Sequence, residues 1–271
     1  MILQNKNAII YGAGGSIGGA VARAFAAAGA RVFLTGRSLA SVQKIADEIR
    51  AAGGKADTDQ VDALDERAIN QHVDNVLNTF GSVDVSFNAT ATNVVQNIPL
   101  TDITAEDFMN PVTMMLKTRF LTAITAGKVM AKQGSGVILS LTATPGGIGY
   151  PYTAGFAPAC AAIESFSRNL AAELGPSGVR VVNIRSGGSP DSNVFKDAIE
   201  KYPDAMAPIL QAMENDTMLK RLPLMADIAN TAVFLASDLA GKITGVTVDV
   251  TCGTTAGLNY RVGSDTFSGK G

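Results

Sequence analysis

A glycine-rich turn near the start of the chain has the residue types and the spacing of a phosphate-binding loop. Its sequence, between an apolar run and an alanine-rich segment, is Gly12-Ala13-Gly14-Gly15-Ser16-Ile17-Gly18. Glycines let the backbone turn tightly and let its N–H groups approach a pyrophosphate, and the N-terminus of a following helix adds unpaired donors and a positive dipole end. Since the turn lies between a predicted strand and a predicted helix, it predicts a dinucleotide site. The predicted contacts are Gly12, Gly14, Gly15, Ser16, Ile17 and Gly18, and the alternative is a tight turn that binds no ligand.

The end of the second predicted strand indicates which dinucleotide is bound. Sites for NAD usually have an acidic residue there, which accepts a hydrogen bond from the ribose 2′-hydroxyl, whereas this chain has Gly36 followed by Arg37. An arginine can pair with a 2′-phosphate through charge-assisted hydrogen bonds, so the sequence favours NADP(H) over NAD(H) as the cofactor. Ser38 either adds a phosphate contact or, as we favour, caps the next helix. A solvated surface arginine is the alternative interpretation of Arg37.

These residues must be positioned by elements that alternate between strand and helix along the whole chain. Short β-branched runs predict seven strands, at 8–11, 31–35, 56–61, 83–88, 137–142, 180–184 and 246–250. Longer segments predict helices at 17–28, 38–52, 65–79, 104–132, 155–174 and 226–237. Several strands are apolar on both faces, as in a parallel sheet that is covered by helices. The alternation predicts a doubly wound α/β Rossmann fold, with a seven-stranded parallel sheet flanked by helices on both faces.

Composition indicates that one domain contains this pattern. The 271 residues are 46% hydrophobic and 17% charged, which is typical of a compact α/β unit, and we expect this unit to span 1–262. Residues 188–224 carry Gly, Ser and Pro and interrupt the alternation, which predicts an insertion that covers a ligand at the carboxyl edge of the sheet. The small polar residues 263–271 predict a flexible tail.

Charge, hydropathy and residue counts exclude several kinds of partner and site. A formal net charge of −2 gives no reason to expect nucleic acid. No apolar run reaches the roughly 18 residues that cross a bilayer, and the first strand begins too early for a signal peptide, so we expect a cytoplasmic protein. Two cysteines and one histidine, His72, exclude a disulfide framework and a multi-histidine metal site. We expect no metal, and we expect His72 at the surface.

With these landmarks the chain resembles the short-chain dehydrogenase/reductase family over nearly its whole length. Residues 12–18 look like the family's TGxxxGIG turn, and Asp62 follows the third strand where the family has an aspartate that contacts adenine. Asn88-Ala89-Thr90-Ala91 stands where the family has NNAG, and Ser186-Gly187 where it has Pro-Gly. The resemblance implies redox chemistry with NAD(P)(H), a small-molecule substrate, and contributions to the cofactor site from Asp62, Asn88 and Gly187.

The same landmarks place four catalytic positions of the family on residues that cannot perform its reaction. The Tyr-x-x-x-Lys pair falls on Phe156 and Cys160, the serine on Ala143, and the helix asparagine on Met115. No lysine occurs between positions 132 and 196, which argues against a shifted alignment. In the family, the tyrosine donates a proton, the lysine lowers the pKa of that tyrosine and holds the nicotinamide ribose, and the serine orients the carbonyl. The resemblance thus implies an atypical member without the standard tetrad.

Reduction of a carbonyl needs a proton donor within hydrogen-bond reach of the developing alkoxide, and four nearby residues are candidate substitutes. Tyr150 and Tyr152 follow the fifth strand on the expected cofactor side, and each is either a proton donor or a packing residue. Thr142 and Thr144, which flank Ala143, are candidates for binding the carbonyl oxygen. Strand alternation places Thr142 and Thr144 on one face, opposite Ala143, unless the strand has already ended.

Two other side chains near this segment have two interpretations each. Cys160 is a thiolate nucleophile if its pKa is depressed, or a small buried core residue, which the lack of a nearby histidine or lysine favours. Arg185, near the end of the sixth strand, either holds an anionic group of a substrate or pairs with a neighbouring carboxylate.

Three functions follow from these residues. The first is an atypical NADP(H)-dependent oxidoreductase that acts on a small apolar carbonyl or enone. Reduction of an activated alkene would relax the need to stabilise an alkoxide, because a proton can reach the carbon from solvent. The alternative is a catalytically silent NADP(H)-binding protein, such as a sensor or a partner subunit, and a non-redox lyase or isomerase has no positive support. The resemblance also implies a homo-oligomer, a dimer or tetramer, that pairs through the helices at 104–132 and 155–174.

Overall fold

Seven parallel strands form one sheet in the computed structural model of the chain, which describes residues 1–257. The strands are β1 (Asn7–Tyr11), β2 (Arg31–Gly36), β3 (Lys55–Gln60), β4 (Val85–Asn88), β5 (Gly136–Ala143), β6 (Val179–Ser186) and β7 (Thr247–Val250). Their order is β3-β2-β1-β4-β5-β6-β7, and every neighbouring pair is parallel. The predicted doubly wound Rossmann fold is therefore confirmed, and each strand lies where the sequence predicts it.

The described residues also form eight helices, which cover both faces of the sheet. They are α1 (Ser16–Ala27), α2 (Leu39–Ala51), α3 (Glu66–Phe80), α4 (Ala105–Gln133), α5 (Phe156–Leu174), α6 (Asn193–Lys201), α7 (Pro203–Asn215) and α8 (Met225–Ala236). One face carries α1, α2 and α8, and the other carries α3, α4 and α5. Alternation along the strands supplies both cores, since Ile10 is buried on the first face and its neighbour Ile9 on the second.

The strand order reverses next to β1, and this reversal positions the glycine turn. Strands β2 and β3 lie on one side of β1, whereas β4 to β7 lie on the other. The connection that leaves β1 runs to α1 on one face, and the connection that leaves β4 runs to α4 on the opposite face. These two connections diverge and leave a crevice at the carboxyl ends of β1 and β4, which is where open α/β sheets bind their ligands.

Residues 188–224 contain two helices that the sequence does not predict. Helices α6 and α7 meet at Tyr202, and no residue of either helix is buried. Each helix does have an apolar face, such as Phe195, Ala198 and Ile199 in α6, but Pro203 and Pro208 interrupt the pattern, which makes the segment resemble a loop. The backbone N–H of Asn193, at the start of α6, donates to Ser16 Oγ at 2.9 Å. The segment therefore lies against the glycine turn at the carboxyl edge of the sheet.

His72 lies in the interior, so the prediction of a surface position is wrong. It is 5% exposed and shares the buried face of α3 with Ile69, Val73 and Val76, at the spacing of a buried helical stripe. Its Nδ1 lies 2.9 Å from Asp59 Oδ2. Burial lowers the pKa of His72, and the hydrogen bond and charge of Asp59 oppose part of this shift.

The predicted tail at 263–271 and the end of the predicted domain at 258–262 lie outside the described residues. Within residues 1–257, no helix is long and apolar enough to span a membrane. In the same range, no group of three or more His, Cys, Asp or Glu side chains is placed to hold a metal ion.

Candidate functional site

The turn between β1 and α1 is packed so closely that side chains are excluded at three positions. Gly12 has a φ of 76°, in the left-handed region that favours glycine. A Cβ added at Gly18 would lie 2.3 Å from the carbonyl oxygen of Gly12, and one added at Gly14 would lie 2.3 Å from Ser41 Oγ. The sequence thus provides a bare backbone cradle at the N-terminus of α1, where unpaired N–H groups and the helix dipole favour a phosphate.

A cavity of about 500 Å³, here called the first cavity, opens over this turn. Its wall includes Gly12, Gly15, Gly36, Arg37, Asp62, Thr90, Met115 and Arg119. Four of the predicted cofactor contacts, Gly12, Gly15, Arg37 and Asp62, therefore line one cavity. Its volume is in the usual range of ligand pockets, and its glycine wall fits the pyrophosphate of a dinucleotide.

Other predicted cofactor contacts lie around the first cavity rather than in its wall. Ser38 caps α2, because its Oγ accepts from a backbone N–H of the first turn, which is the favoured interpretation. The hydroxyl of Ser16 accepts from α6, as described above. Ile17 packs against the core, and Gly187 lines a second cavity.

Asn88 connects the end of β4 to α4. Its Nδ2 donates to the Thr118 carbonyl at 3.2 Å and to Thr122 Oγ1 at 2.9 Å. Its Oδ1 accepts from the N–H and the hydroxyl of Thr90, at 2.9 and 2.7 Å. All of these partners are groups of the protein itself, so Asn88 positions Thr90 in the wall of the first cavity.

Arg37 has the exposure and the position to meet a charged ligand. It follows Gly36 directly after β2, it is exposed, and it lines the first cavity. Gln60 Nε2 donates to the Arg37 carbonyl at 2.9 Å and holds the backbone. No ion pair within residues 1–257 involves the Arg37 guanidinium.

The second cavity, of about 250 Å³, lies where β5 and β6 end and α6 and α7 cross the sheet edge. Its wall includes Ala143, Thr144, Tyr150, Phe156, Gly187, Phe195 and Met213. Tyr150 is 43% exposed, and its hydroxyl has no hydrogen-bond partner in the described part of the chain. Tyr152 lines neither cavity, is 55% exposed, and has a left-handed φ of 61°. The structure thus brings Tyr150, but not Tyr152, to the second cavity.

Thr142 lines neither cavity, which argues against its predicted role as a carbonyl-binding group. Its hydroxyl donates to Glu164 Oε1 at 2.9 Å and accepts from Asn183 Nδ2 at 2.7 Å, and the residue is buried. Strand β5 ends at Ala143, and Thr144 begins a short 3-10 turn. The alternation therefore does not reach Thr144, which lines the second cavity without Thr142.

The four residues that the sequence analysis aligns with the family's catalytic positions, Met115, Ala143, Phe156 and Cys160, pack together in one apolar cluster. This apolar cluster separates the cavities, since Met115 lines the first and Ala143 and Phe156 line the second. Burial raises the pKa of Cys160 to about 11, and a backbone hydrogen bond from Ala143 offsets part of the rise. The thiol is therefore protonated at neutral pH, as expected for a core cysteine rather than a nucleophile.

Arg119, a residue that the sequence analysis does not single out, lies beside the apolar cluster. It is 3% exposed, yet it contributes to the wall of the first cavity. Its Nη1 donates to Thr90 Oγ1 at 2.9 Å and to Thr118 Oγ1 at 3.1 Å, and its Nη2 donates to the Leu141 carbonyl at 3.4 Å. Burial lowers the pKa of Arg119 to about 10, so the guanidinium stays charged at neutral pH. Its spacing of four residues from Met115 is the signal that places it on the buried face of α4.

Arg185 pairs with two carboxylates, which is one of the two interpretations that the sequence leaves open. Its Nε and Nη2 donate to Glu164 at 3.0 and 2.6 Å, and its Nη1 donates to Asp249 Oδ1 at 2.8 Å. The side chains of Arg185 and Glu164 are 12% and 7% exposed. This pairing joins α5, β6 and β7 behind the second cavity.

Comparisons with known proteins agree with this geometry. The family model described as Enoyl-(Acyl carrier protein) reductase matches residues 12–255. An uncharacterised oxidoreductase of Mycobacterium tuberculosis is 31% identical over 256 residues, which cover 93% of each chain. The 7alpha-hydroxysteroid dehydrogenase of Escherichia coli is 30% identical over 257 residues, which cover 95% of this chain and 97% of that enzyme. The crystal structure of levodione reductase has a TM-score of 0.85 at 26% identity and covers 93% of this chain and 98% of that one.

Proposed function

The chain belongs to the short-chain dehydrogenase/reductase family, and we propose that it is an atypical NADP(H)-dependent oxidoreductase that reduces a small apolar enone or carbonyl compound. One observation carries the proposal. The first cavity, which contains the glycine cradle, and the second cavity, which contains Tyr150, lie on opposite sides of the apolar cluster. The Tyr150 hydroxyl has no hydrogen-bond partner in the described residues. NADPH supplies the hydride when it is bound. Residues of this chain bind the cofactor and position the substrate.

The first cavity supports the choice of cofactor. A side chain at Gly12, Gly14 or Gly18 would collide with neighbouring protein atoms, and the bare backbone there suits a pyrophosphate. We infer that Asp62 lies at the adenine end of the bound dinucleotide. Arg37, exposed and without an ion pair in the described residues, would hold the 2′-phosphate through charge-assisted hydrogen bonds.

The lack of a hydrogen-bond donor at positions 143 and 156 favours an activated alkene over a ketone as the substrate. Ala143 and Phe156 have no group that can donate a hydrogen bond to an alkoxide. In the reduction of an enone, the hydride joins one carbon of the double bond and a proton joins the other. That proton can come from the Tyr150 hydroxyl or from water. The description of the matching family model, an enoyl reductase, supports the same choice.

Turnover with NADPH and a panel of enones and ketones, followed at the nicotinamide absorbance, tests the reaction. If Tyr150 donates the proton, Tyr150→Phe lowers kcat/KM by about 10²- to 10⁴-fold, the usual contribution of a general acid. Tyr152→Phe is the matched control, because it removes the same hydroxyl outside both cavities. Equal rates for the two variants would contradict the role of Tyr150.

Calorimetric titration with NADP⁺ and NAD⁺ tests the cofactor preference separately. We expect tighter binding of NADP⁺, and we expect Arg37→Gln to weaken NADP⁺ while leaving NAD⁺ unchanged. Equal affinities of the wild-type protein for the two dinucleotides would refute the argument from Gly36 and Arg37.

A catalytically silent NADP(H)-binding protein is the second candidate function. The apolar cluster favours it, because no member carries an acid at the positions where the family performs its chemistry. A wild-type protein that binds NADPH but reduces no member of the panel would support this candidate against the first.

We also propose that the chain forms a homo-oligomer, a dimer or tetramer, through α4 and α5. Phe120 on α4 is 48% exposed, and its ring centroid lies 5.9 Å from that of Phe166 on α5. An aromatic pair at the surface of two adjacent helices is a suitable anchor for a second copy of the chain.

A further inference from the structure

We infer that Arg119 is a cofactor-binding residue, whose guanidinium donates hydrogen bonds to the ribose hydroxyls on the nicotinamide side of the bound dinucleotide. The inference rests on the proposed function for the identity of the ligand. In the family a lysine holds the nicotinamide ribose, and the sequence analysis aligns that lysine with Cys160 on α5. The inference therefore assigns the cationic contact to a residue of α4.

The guanidinium of Arg119 has more donors than the protein satisfies. An arginine side chain carries five N–H groups, and the structure gives three hydrogen bonds, to Thr90, Thr118 and Leu141. The Nε atom is buried and has no partner within residues 1–257, and one N–H of Nη2 is also left without an acceptor. Arg180 also donates three hydrogen bonds, to backbone carbonyls, but it is only half-buried, and within residues 1–257 none of its nitrogen atoms is buried without a partner.

No carboxylate balances the charge of Arg119. Within the described residues no Asp or Glu oxygen lies within ion-pair distance of it, whereas Arg185 has two carboxylate partners. A buried cation without a counter-charge is costly unless its hydrogen bonds are complete. Because Arg119 contributes to the wall of the first cavity, oxygen atoms of a ligand are the acceptors that would complete them.

The position of Arg119 along the first cavity selects the part of the ligand. Arg37 and Asp62 follow β2 and β3 at one end, and the glycine cradle lies in the middle. Thr90 continues the wall beside Gly12, since a Cβ on Gly12 would lie 2.9 Å from Thr90 N. Arg119 donates to Thr90 Oγ1 at 2.9 Å and lies next to the apolar cluster, since it interacts electrostatically with Cys160. A dinucleotide with adenosine at the first end and pyrophosphate at the cradle therefore brings its second ribose to Arg119.

Calorimetric titration with NADP⁺ and with 2′,5′-ADP, which lacks the second ribose, tests the inference. We expect Arg119→Met to weaken NADP⁺ by roughly 10- to 100-fold, the usual effect of lost hydrogen bonds to a charged group. The same variant should leave the affinity for 2′,5′-ADP unchanged. Arg119→Lys keeps the charge and should recover part of the loss. Arg180→Met is the matched control, since it removes an arginine outside the first cavity and should change neither affinity.

Thermal unfolding of each variant separates ligand binding from stability. If Arg119→Met weakens both ligands equally, or neither, Arg119 is only a packing residue and the inference is overturned. A wild-type protein that binds NADP⁺ without turnover contradicts the proposed reaction, while a selective loss in Arg119→Met still supports the inference. A wild-type protein that binds neither ligand overturns both proposals.

Discussion

Replacing Glu164 by alanine removes the buried carboxylate that holds Arg185 behind the second cavity. The carboxylate accepts from Arg185 Nε at 3.0 Å, from Arg185 Nη2 at 2.6 Å and from Thr142 Oγ1 at 2.9 Å. Removing one partner of a buried ion pair costs about 3–5 kcal/mol, because the other charge stays buried without compensation. Arg185 retains Asp249 as a partner, so we expect the lower end of that range for Glu164→Ala.

The matched control is Asp249→Ala, at the other end of the same arginine. The Asp249 side chain is 37% exposed, and water compensates such a pair, so we expect a cost of about 1 kcal/mol or less. Urea unfolding followed by far-UV circular dichroism measures both costs, since the chain has no tryptophan to report. In a thermal scan, the loss for Glu164→Ala corresponds to a fall in Tm of about 6–12 °C for a domain of this size.

The ratio of the two costs is the decisive result. Unfolding midpoints for Glu164→Ala and Asp249→Ala that agree within error, with unchanged m values, would show that burial adds nothing to the pairing of Arg185. The reasoning from exposure and hydrogen-bond count would then be refuted.

The remaining predictions concern charge, access and assembly. Because burial lowers the pKa of His72 below its ordinary value of about 6.5, the folded state binds fewer protons than the unfolded state near and below that pH. The stabilisation present above about pH 6.5 is therefore lost as the pH falls. Urea titrations at several pH values should show that the free energy of unfolding falls less steeply with decreasing pH for His72→Gln than for the wild-type protein. Iodoacetamide at about pH 8 should label Cys160 only after unfolding, as peptide mass spectrometry would show, and labelling of the folded protein at this site would contradict its burial. Light scattering should give a dimer or tetramer for the wild-type chain and a smaller particle for Phe120→Glu, and a wild-type monomer would count against pairing through α4 and α5.

The sheet and the glycine turn were predictable because their signals are local. A strand buried on both faces must be an apolar run, as at Ile9 and Ile10, and a turn that excludes Cβ atoms must contain glycine, as at Gly12. Helices α6 and α7 have no buried residue. Their apolar faces are short, and the prolines at positions 203 and 208 interrupt the pattern, so the segment resembles a loop.

Side chains that the sequence analysis misplaces or omits lie on helix faces or in loops. His72, which it misplaces, and Arg119, which it omits, are polar residues within the buried stripes of α3 and α4. Counting three and four residues along each helix places both side chains on the buried face. The choice between Tyr150 and Tyr152 depends instead on the shape of their loop. The Tyr152 carbonyl accepts from the N–H of Asn97 at 2.9 Å, a contact between distant parts of the chain that no local pattern reveals.

The proximity of Arg119 to Cys160 makes positions 119 and 160 interdependent in any redesign of this chain. The two side chains are close enough for a charge at Cys160 to shift the pKa of Arg119, so Cys160→Lys would bury a second cation beside the guanidinium, and each charge would lower the pKa of the other. A variant with tyrosine at position 156 and lysine at position 160 is therefore expected to require a smaller, uncharged residue at position 119. The same interdependence restricts the order in which single substitutions can accumulate. A chain with lysine at position 160 must lose that lysine before it can accept arginine at position 119.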